Sequence, residues 1–163
     1  MTEHEIKIKF TEYASIDELN AADKALCLEA AKALNTSHSP YSKFRVGVAM
    51  QLKSGKVLHA SNQENAAYPS GLCAERVALF HWGSNHAGDP IESMAVTAET
   101  DEFELDRPVT SCGACLQVLA EYEKKQGKAI KMLLYCQGGP VWIANGVESF
   151  LPFLFFEDRL NHQ

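Results

Sequence analysis

Cys73-Ala74-Glu75-Arg76, read together with Cys112-Gly113-Ala114-Cys115, decides how this chain is understood. Zinc prefers four tetrahedral ligands, and a catalytic site takes three from protein and leaves the fourth for water. Cys73, Cys112 and Cys115 supply three sulfurs, and Glu75 sets a carboxylate two residues beyond the first. A lone Cys-x-x-Cys serves structural zinc and redox chemistry equally well. The third cysteine with its glutamate is more specific, because a structural zinc wants a fourth protein ligand and has no use for that carboxylate. Residues two apart point nearly opposite ways on the flank of a helix, so Cys73 and Glu75 can share a site only off a helix N-terminus. The same holds for Cys112 and Cys115. Two helix N-termini are therefore expected to face one metal, their positive ends favouring thiolates. Three thiolates on Zn²⁺ leave a negative centre, and Arg76 is the expected counter-charge, donating to the ligand sulfurs.

Around this pair of motifs the chain reads as alternating helix and strand. Glu5 to Phe10 alternates polar and apolar residues as a short strand would. Ser15-Ile16-Asp17-Glu18 is a capping box that opens a helix running to about Leu34. Phe44 to Leu52 and Val57 to Ser61 read as strands joined by the turn Lys53-Ser54-Gly55-Lys56. The Cys73 helix runs to about Asn85, Ile91 to Ala98 is a strand, and the Cys112 helix runs to about Lys125. Ile130 to Cys136 and Val141 to Asn145 are the last strands, joined by Gln137-Gly138-Gly139-Pro140. This order predicts an α/β protein: a three-layer α/β/α sandwich around a mixed five-stranded sheet, residues 1–163 forming one domain. The cysteine-bearing helices are expected side by side on one sheet face.

Composition narrows the function classes. The 163 residues carry a net charge of −6, with 46% hydrophobic and 22% charged residues, as in an ordinary globular protein. With no basic run, a nucleic-acid partner held through phosphates is not expected. No segment is long enough to span a bilayer. Met1 to Lys9 is charged throughout and lacks a secretory apolar core, so the five cysteines are expected as free thiols in a reducing, cytoplasmic setting. Cys27 and Cys136 sit in apolar patterns and read as core thiols. His81 and His86 lie towards the far end of the Cys73 helix and read as surface or packing residues. The acidic run Asp101 to Asp106 reads as a solvated face. The tail from Val147 to Leu160 carries Phe150, Phe153, Phe155 and Phe156, an apolar patch best covered by another subunit.

These motifs resemble the cytidine deaminases, specifically the small homotetrameric type with three cysteine ligands. The resemblance rests on Tyr41-Ser42-Lys43-Phe44-Arg45-Val46-Gly47, Asn62-Gln63-Glu64-Asn65-Ala66-Ala67-Tyr68-Pro69, the two cysteine motifs, and Leu151-Pro152 with Phe155. It implies a Zn²⁺ cofactor held by Cys73, Cys112 and Cys115, with Glu75 as proton carrier. It also implies that Asn62 and Glu64 bind a ribose 3′-hydroxyl, and that Phe44 lies against the pyrimidine ring. The backbone of Ala74 and Thr110 would line the base pocket, and Phe155 would reach in from a neighbouring subunit. The implied reaction is hydrolytic deamination of cytidine and 2′-deoxycytidine, a step of pyrimidine salvage, by a homotetramer with a small nucleoside as its partner. A related aminopyrimidine nucleoside of the blasticidin S type is the alternative substrate, and a zinc-stabilised binding domain the non-enzymatic alternative. Three positions depart from the family pattern: Ser111 stands for a proline, Leu116 for an arginine, and Phe156-Glu157 for Gly-Pro.

Overall fold

Alternation and apolar runs bounded by turn residues become one mixed sheet in the computed structural model, which describes residues 1–156. In chain order the elements are β1 (Thr11–Tyr13), α1 (Ala21–Ala33), β2 (Phe44–Leu52), β3 (Val57–Ser61), α2 (Ala74–Asn85), β4 (Ile91–Thr100), α3 (Gly113–Gln126), β5 (Lys131–Tyr135) and β6 (Val141–Asn145). The sheet runs β1-β6-β5-β4-β2-β3. Only β4 and β5 pair parallel; α3 lies between them in sequence, as a parallel crossover requires. Helix α1 packs on one face through Leu26, Cys27 and Ala30 against Ala49, Ala95 and Leu133. Helices α2 and α3 cover the other through Ala78, Leu79, Trp82, Leu116 and Leu119 against Val48, Met50, Met94, Met132 and Leu134. The three-layer sandwich is as expected, and both cysteine helices share a face.

The sheet has six strands, not five. The extra strand, β1, is three residues long, too short to show alternation. It pairs antiparallel with β6, Thr11 opposite Ile143 and Tyr13 opposite Val141. Trp142 holds it there, its indole N–H donating to Glu12 and its ring meeting Phe10 at 5.2 Å. The strand expected at Glu5 to Phe10 is therefore displaced to Thr11–Tyr13. The expected capping box is displaced too. Ser15 accepts from the Asp17 amide but starts only a single 3₁₀ turn, Ile16–Glu18. The chain returns to an extended conformation at Leu19, and α1 begins after Asn20. The Asn20 carboxamide oxygen accepts from the Asp23 amide at 3.0 Å, and its amide group donates to the Asp23 carboxylate at 2.7 Å. Asp23 also takes Lys131 Nζ at 2.7 Å, tying the start of α1 to β5. That ion pair gives the second cap a tertiary tie that Ser15 lacks. Cys27 and Cys136 are buried free thiols, as read.

Gly47 fixes how closely α1 approaches the sheet. A Cβ there would lie 2.2 Å from the Ala30 carbonyl oxygen and 2.9 Å from the Leu34 amide nitrogen, both backbone atoms that cannot swing aside. Gly47→Ala must push the helix off β2, an overpacking cost of about 3 kcal/mol. Thermal denaturation is expected to show a fall in Tm of roughly 6–12 °C; an unchanged Tm would mean the helix re-seats freely.

Candidate metal centre and adjoining cleft

Cys73 and Cys112 occupy the N-cap positions of α2 and α3, both with extended backbone and neither using its side chain to cap the helix. Glu75 falls in the first turn of α2 and Cys115 in that of α3. The unpaired amides at the two helix starts thus converge where the spacing argument placed them. The three sulfurs lie within 4.8 Å of one another. Cys73 Sγ is 3.9 Å from Cys112 Sγ, and Cys112 Sγ is 3.4 Å from Cys115 Sγ. A tetrahedron with Zn–S arms of about 2.3 Å has edges of about 3.8 Å, so this donor set fits zinc with three corners filled.

Charge in the cluster points the same way. The Cys73 thiol is drawn down to about 5, first by its hydrogen bond with Cys115 and then by Arg76 and Cys112, against the opposing effect of burial. Cys115 is pushed well above the ordinary thiol range by that same pairing, by burial and by the Glu75 charge. Sulfurs this close cannot all ionise on their own, and a divalent cation relieves that conflict. Arg76 Nη2 lies 3.8 Å from Cys73 Sγ, while its Nε is sealed from solvent without a hydrogen-bond partner among the described residues. The guanidinium is thus turned into the cluster and is not a solvated surface charge.

Glu75 is 5% exposed. Burial pushes its carboxyl up, its own backbone amide and the Ser111 hydroxyl pull against that, and the Cys73 charge adds to the rise. Ser111 Oγ is itself buried and completes no good hydrogen bond among the described residues, so it acts as a nearby dipole. A carboxyl held in a dry site beside a cation centre is poised to take up and release a proton.

A cleft of about 460 Å³ opens beside the cluster, lined by Tyr41, Ser42, Asn62, Glu64, Cys73 and Arg76 among others. That volume suits a nucleoside-sized ligand. Gln63 bridges to His38 on one side and Leu72 on the other, which holds the segment extended. Asn62 and Glu64 therefore project the same way. The Asn62 carboxamide oxygen accepts from Ser37 Oγ at 2.6 Å and the Val46 amide at 2.8 Å. Its nitrogen donates to the Phe44 carbonyl at 2.9 Å, leaving one N–H uncommitted. Glu64 Oε2 accepts from the Tyr41 and Ser42 amides at 2.9 and 3.2 Å, and Oε1 makes no hydrogen bond within normal reach among the described residues. Burial alone would raise the Glu64 carboxyl, but the Ser42 hydroxyl, those two amides and His38 outweigh it and hold the group below its ordinary value.

The other expected site residues are not among those lining this cleft. Phe44 stacks on Phe103 with ring centroids 6.3 Å apart, and its carbonyl accepts from Asn62. Ala74 is wholly buried. Thr110 lines a separate cavity with Ser111, Leu116, Trp142 and Ile8. Leu116, where an arginine was the family pattern, packs into the core at 7% exposure. Phe155 is 69% exposed, its carbonyl accepting from Gln117. Glu157 and the tail beyond it lie outside the described residues. Sequence reasoning gave no role to Tyr41 and Ser42, whose amides hold Glu64. The run Asp101 to Asp106 is solvated as expected; Asp101, from that exposed position, joins Glu99 in holding the Arg45 guanidinium at 3.0 and 2.8 Å. His81 and His86 pack against each other, ring centroids 5.4 Å apart, away from the cluster.

Residues 1–108 match the family described as the cytidine and deoxycytidylate deaminase zinc-binding region. The chain belongs to this family. The match takes in Cys73 and Glu75 and ends ahead of Cys112. Among deaminase relatives, the cytidine deaminase of Halalkalibacterium halodurans is 45% identical over 96 residues, covering 59% of this chain and 68% of that protein. The cytidine deaminase of Sporosarcina psychrophila is 34% identical over 146 residues, covering 84% of this chain and 93% of its own. The crystal structure of cytidine deaminase from Burkholderia pseudomallei superposes with a TM-score of 0.68 at 34% identity, over 84% of this chain and all (100%) of that one. No helix among the described residues is long and apolar enough to cross a membrane.

Proposed function

We propose that this chain hydrolyses the 4-amino group of cytidine and 2′-deoxycytidine, giving the uridine and ammonia. The observation that carries this reading is a buried carboxylate beside a three-sulfur cluster, opening on a cleft that offers an amide N–H and a carboxylate oxygen. The deaminase relatives support the same chemistry.

In this reading Cys73, Cys112 and Cys115 hold Zn²⁺, and Arg76 offsets their charge. Zinc, when bound, lowers the pKa of water so that a hydroxide nucleophile is available near neutral pH. Glu75 takes the proton from that water and passes it to ring N3, which makes C4 electrophilic. Hydroxide adds to C4, and Glu75 then takes the proton of the new hydroxyl and gives it to the amine, so that the C4–N bond breaks, C4 keeps its oxygen as a carbonyl and ammonia leaves. Asn62 Nδ2–H and Glu64 Oε1 hold the 3′-hydroxyl as donor and acceptor, fixing C4 over the cluster. As the family resemblance implies, the backbone of Ala74, beside Cys73 and Glu75, and of Thr110, beside Ser111, would bound the base, with Phe44 against the ring.

Residues 1–163 work as one domain, and the assembly is a homotetramer in which Phe155 reaches a neighbouring site. The exposure of Phe153 and Phe155, 81% and 69%, supports burial of that patch between subunits. Five free cysteines support a cytoplasmic place in pyrimidine salvage. Ultraviolet absorbance with a panel of cytidine, 2′-deoxycytidine and blasticidin S, run with metal analysis, tests the reading. Cytidine turnover by zinc-loaded protein is expected; turnover of blasticidin S alone, or of nothing in the panel, would overturn it.

A further inference from the structure

The segment ahead of β1 carries a charge pattern that the deaminase chemistry leaves unused. Residues 2–10 read Thr-Glu-His-Glu-Ile-Lys-Ile-Lys-Phe, acidic in the first half and basic in the second. Ile6, Ile8 and Phe10 stand 50%, 51% and 54% exposed. The backbone of residues 2–9 forms no hydrogen bond with another described residue. It leads directly into β1, the edge strand of the sheet. The alternation is that of a strand with one apolar and one charged face; Phe10 rests on Trp142, yet no strand among the described residues pairs with residues 2–9.

We propose that this segment pairs antiparallel with the same segment of a second copy, centred on Ile6, and so joins two sheets at their β1 edges. The register follows from charge. Centred on Ile6, Glu5 faces the second copy's Lys7 and Glu3 its Lys9, and two-fold symmetry repeats both pairs. All these charges fall on one face. On the other, Ile6 meets Ile6, and Ile8 and Phe10 face His4 and Thr2. Moving the centre to Lys7 puts Lys7 against Lys7, and moving it to Ile8 puts Lys7 against Lys9. A centre at Glu5 opposes Glu5 to Glu5, and one at His4 opposes Glu3 to Glu5. Like charges directly opposite destabilise a strand pair, and opposite charges stabilise it. Registers shifted by an odd residue set apolar side chains against charged ones. Lysines on an edge strand ordinarily repel a second strand; here Glu3 and Glu5 stand where each lysine's partner is needed. A second copy is thus the occupant that the charge pattern matches along its whole length. The contact does not depend on the cytidine reading, and turnover reports on that reading separately.

Two charge-reversed full-length proteins test it, Glu3→Lys/Glu5→Lys and Lys7→Glu/Lys9→Glu, with mass measured by light scattering at low ionic strength. Each alone sets like charges opposite each other and is expected at half the wild-type mass, with unchanged cytidine turnover per subunit. Mixed one to one, every opposed pair becomes opposite in sign, and the wild-type mass returns as a mixed assembly. A second readout does not depend on mass: Ile6→Cys is expected to crosslink between chains under diamide, and Glu3→Cys, which faces Lys9, is not. Wild-type mass in either variant alone, no recovery on mixing, or equal crosslinking at positions 3 and 6 would overturn the proposal.

Discussion

Glu75→Gln is expected to keep its metal and lose its turnover, kcat falling by roughly 10²–10⁴ while KM moves far less. Glutamine matches the carboxylate in size, so the packing that leaves Glu75 only 5% exposed survives. What disappears is the ability to accept a proton from water and pass it on to N3 and then to the amine. Because the group is no ligand in this reading, metal analysis of the variant should match wild type. Steady-state kinetics on cytidine at matched zinc content decide the matter. Wild-type rates in the variant would remove Glu75 from the proton path.

The second large effect is loss of the metal itself. Cys73 and Cys112 stand at the N-cap positions of two different helices, and Cys115 lies in the first turn of the second. One ion on these sulfurs therefore staples α2 to α3. A ligand that binds only the folded state, present about a thousandfold above its Kd, stabilises it by about 4 kcal/mol. Chelating the wild-type protein should then lower Tm by roughly 8–16 °C and abolish turnover, with both restored by zinc. Cys115→Ala should show that lower Tm from the start, contain no stoichiometric metal, and respond to chelator not at all. Differential scanning calorimetry with and without chelator reads both. A wild-type Tm and activity indifferent to chelation would mean that the cluster holds no functional ion.

Much of this arrangement was written in local patterns. The bounds of β2, β3 and β6 coincide with those read from Phe44 to Leu52, Val57 to Ser61 and Val141 to Asn145, because each run borders a Gly- or Pro-containing turn on at least one side. The spacing of Cys73 from Glu75 and of Cys112 from Cys115 demanded helix starts, and both cysteines stand at N-caps. What sequence could not show depends on distant partners. Strand β1 exists because Trp142, far along the chain, receives it. The local capping signal at Ser15 opens only a single turn, while α1 starts at Asn20 and is tied to β5 through Asp23 and the distant Lys131. Glu64 is anchored by amides 22 and 23 residues away, a closure that no short window contains.

The commitments of Asn62 carry a consequence for altering sugar preference. Its side chain ties Ser37, Val46 and Phe44 together, so the group that holds the sugar in the proposed reading is also a keystone joining the loop after α1 to the start of β2. Remodelling at this position would disturb shape and selectivity at once, and libraries randomised there should yield mostly misassembled protein. Glu64, held through one oxygen and free at the other, is the tunable member of the pair. Retargeting to analogues with altered 3′ groups is therefore better begun at residue 64.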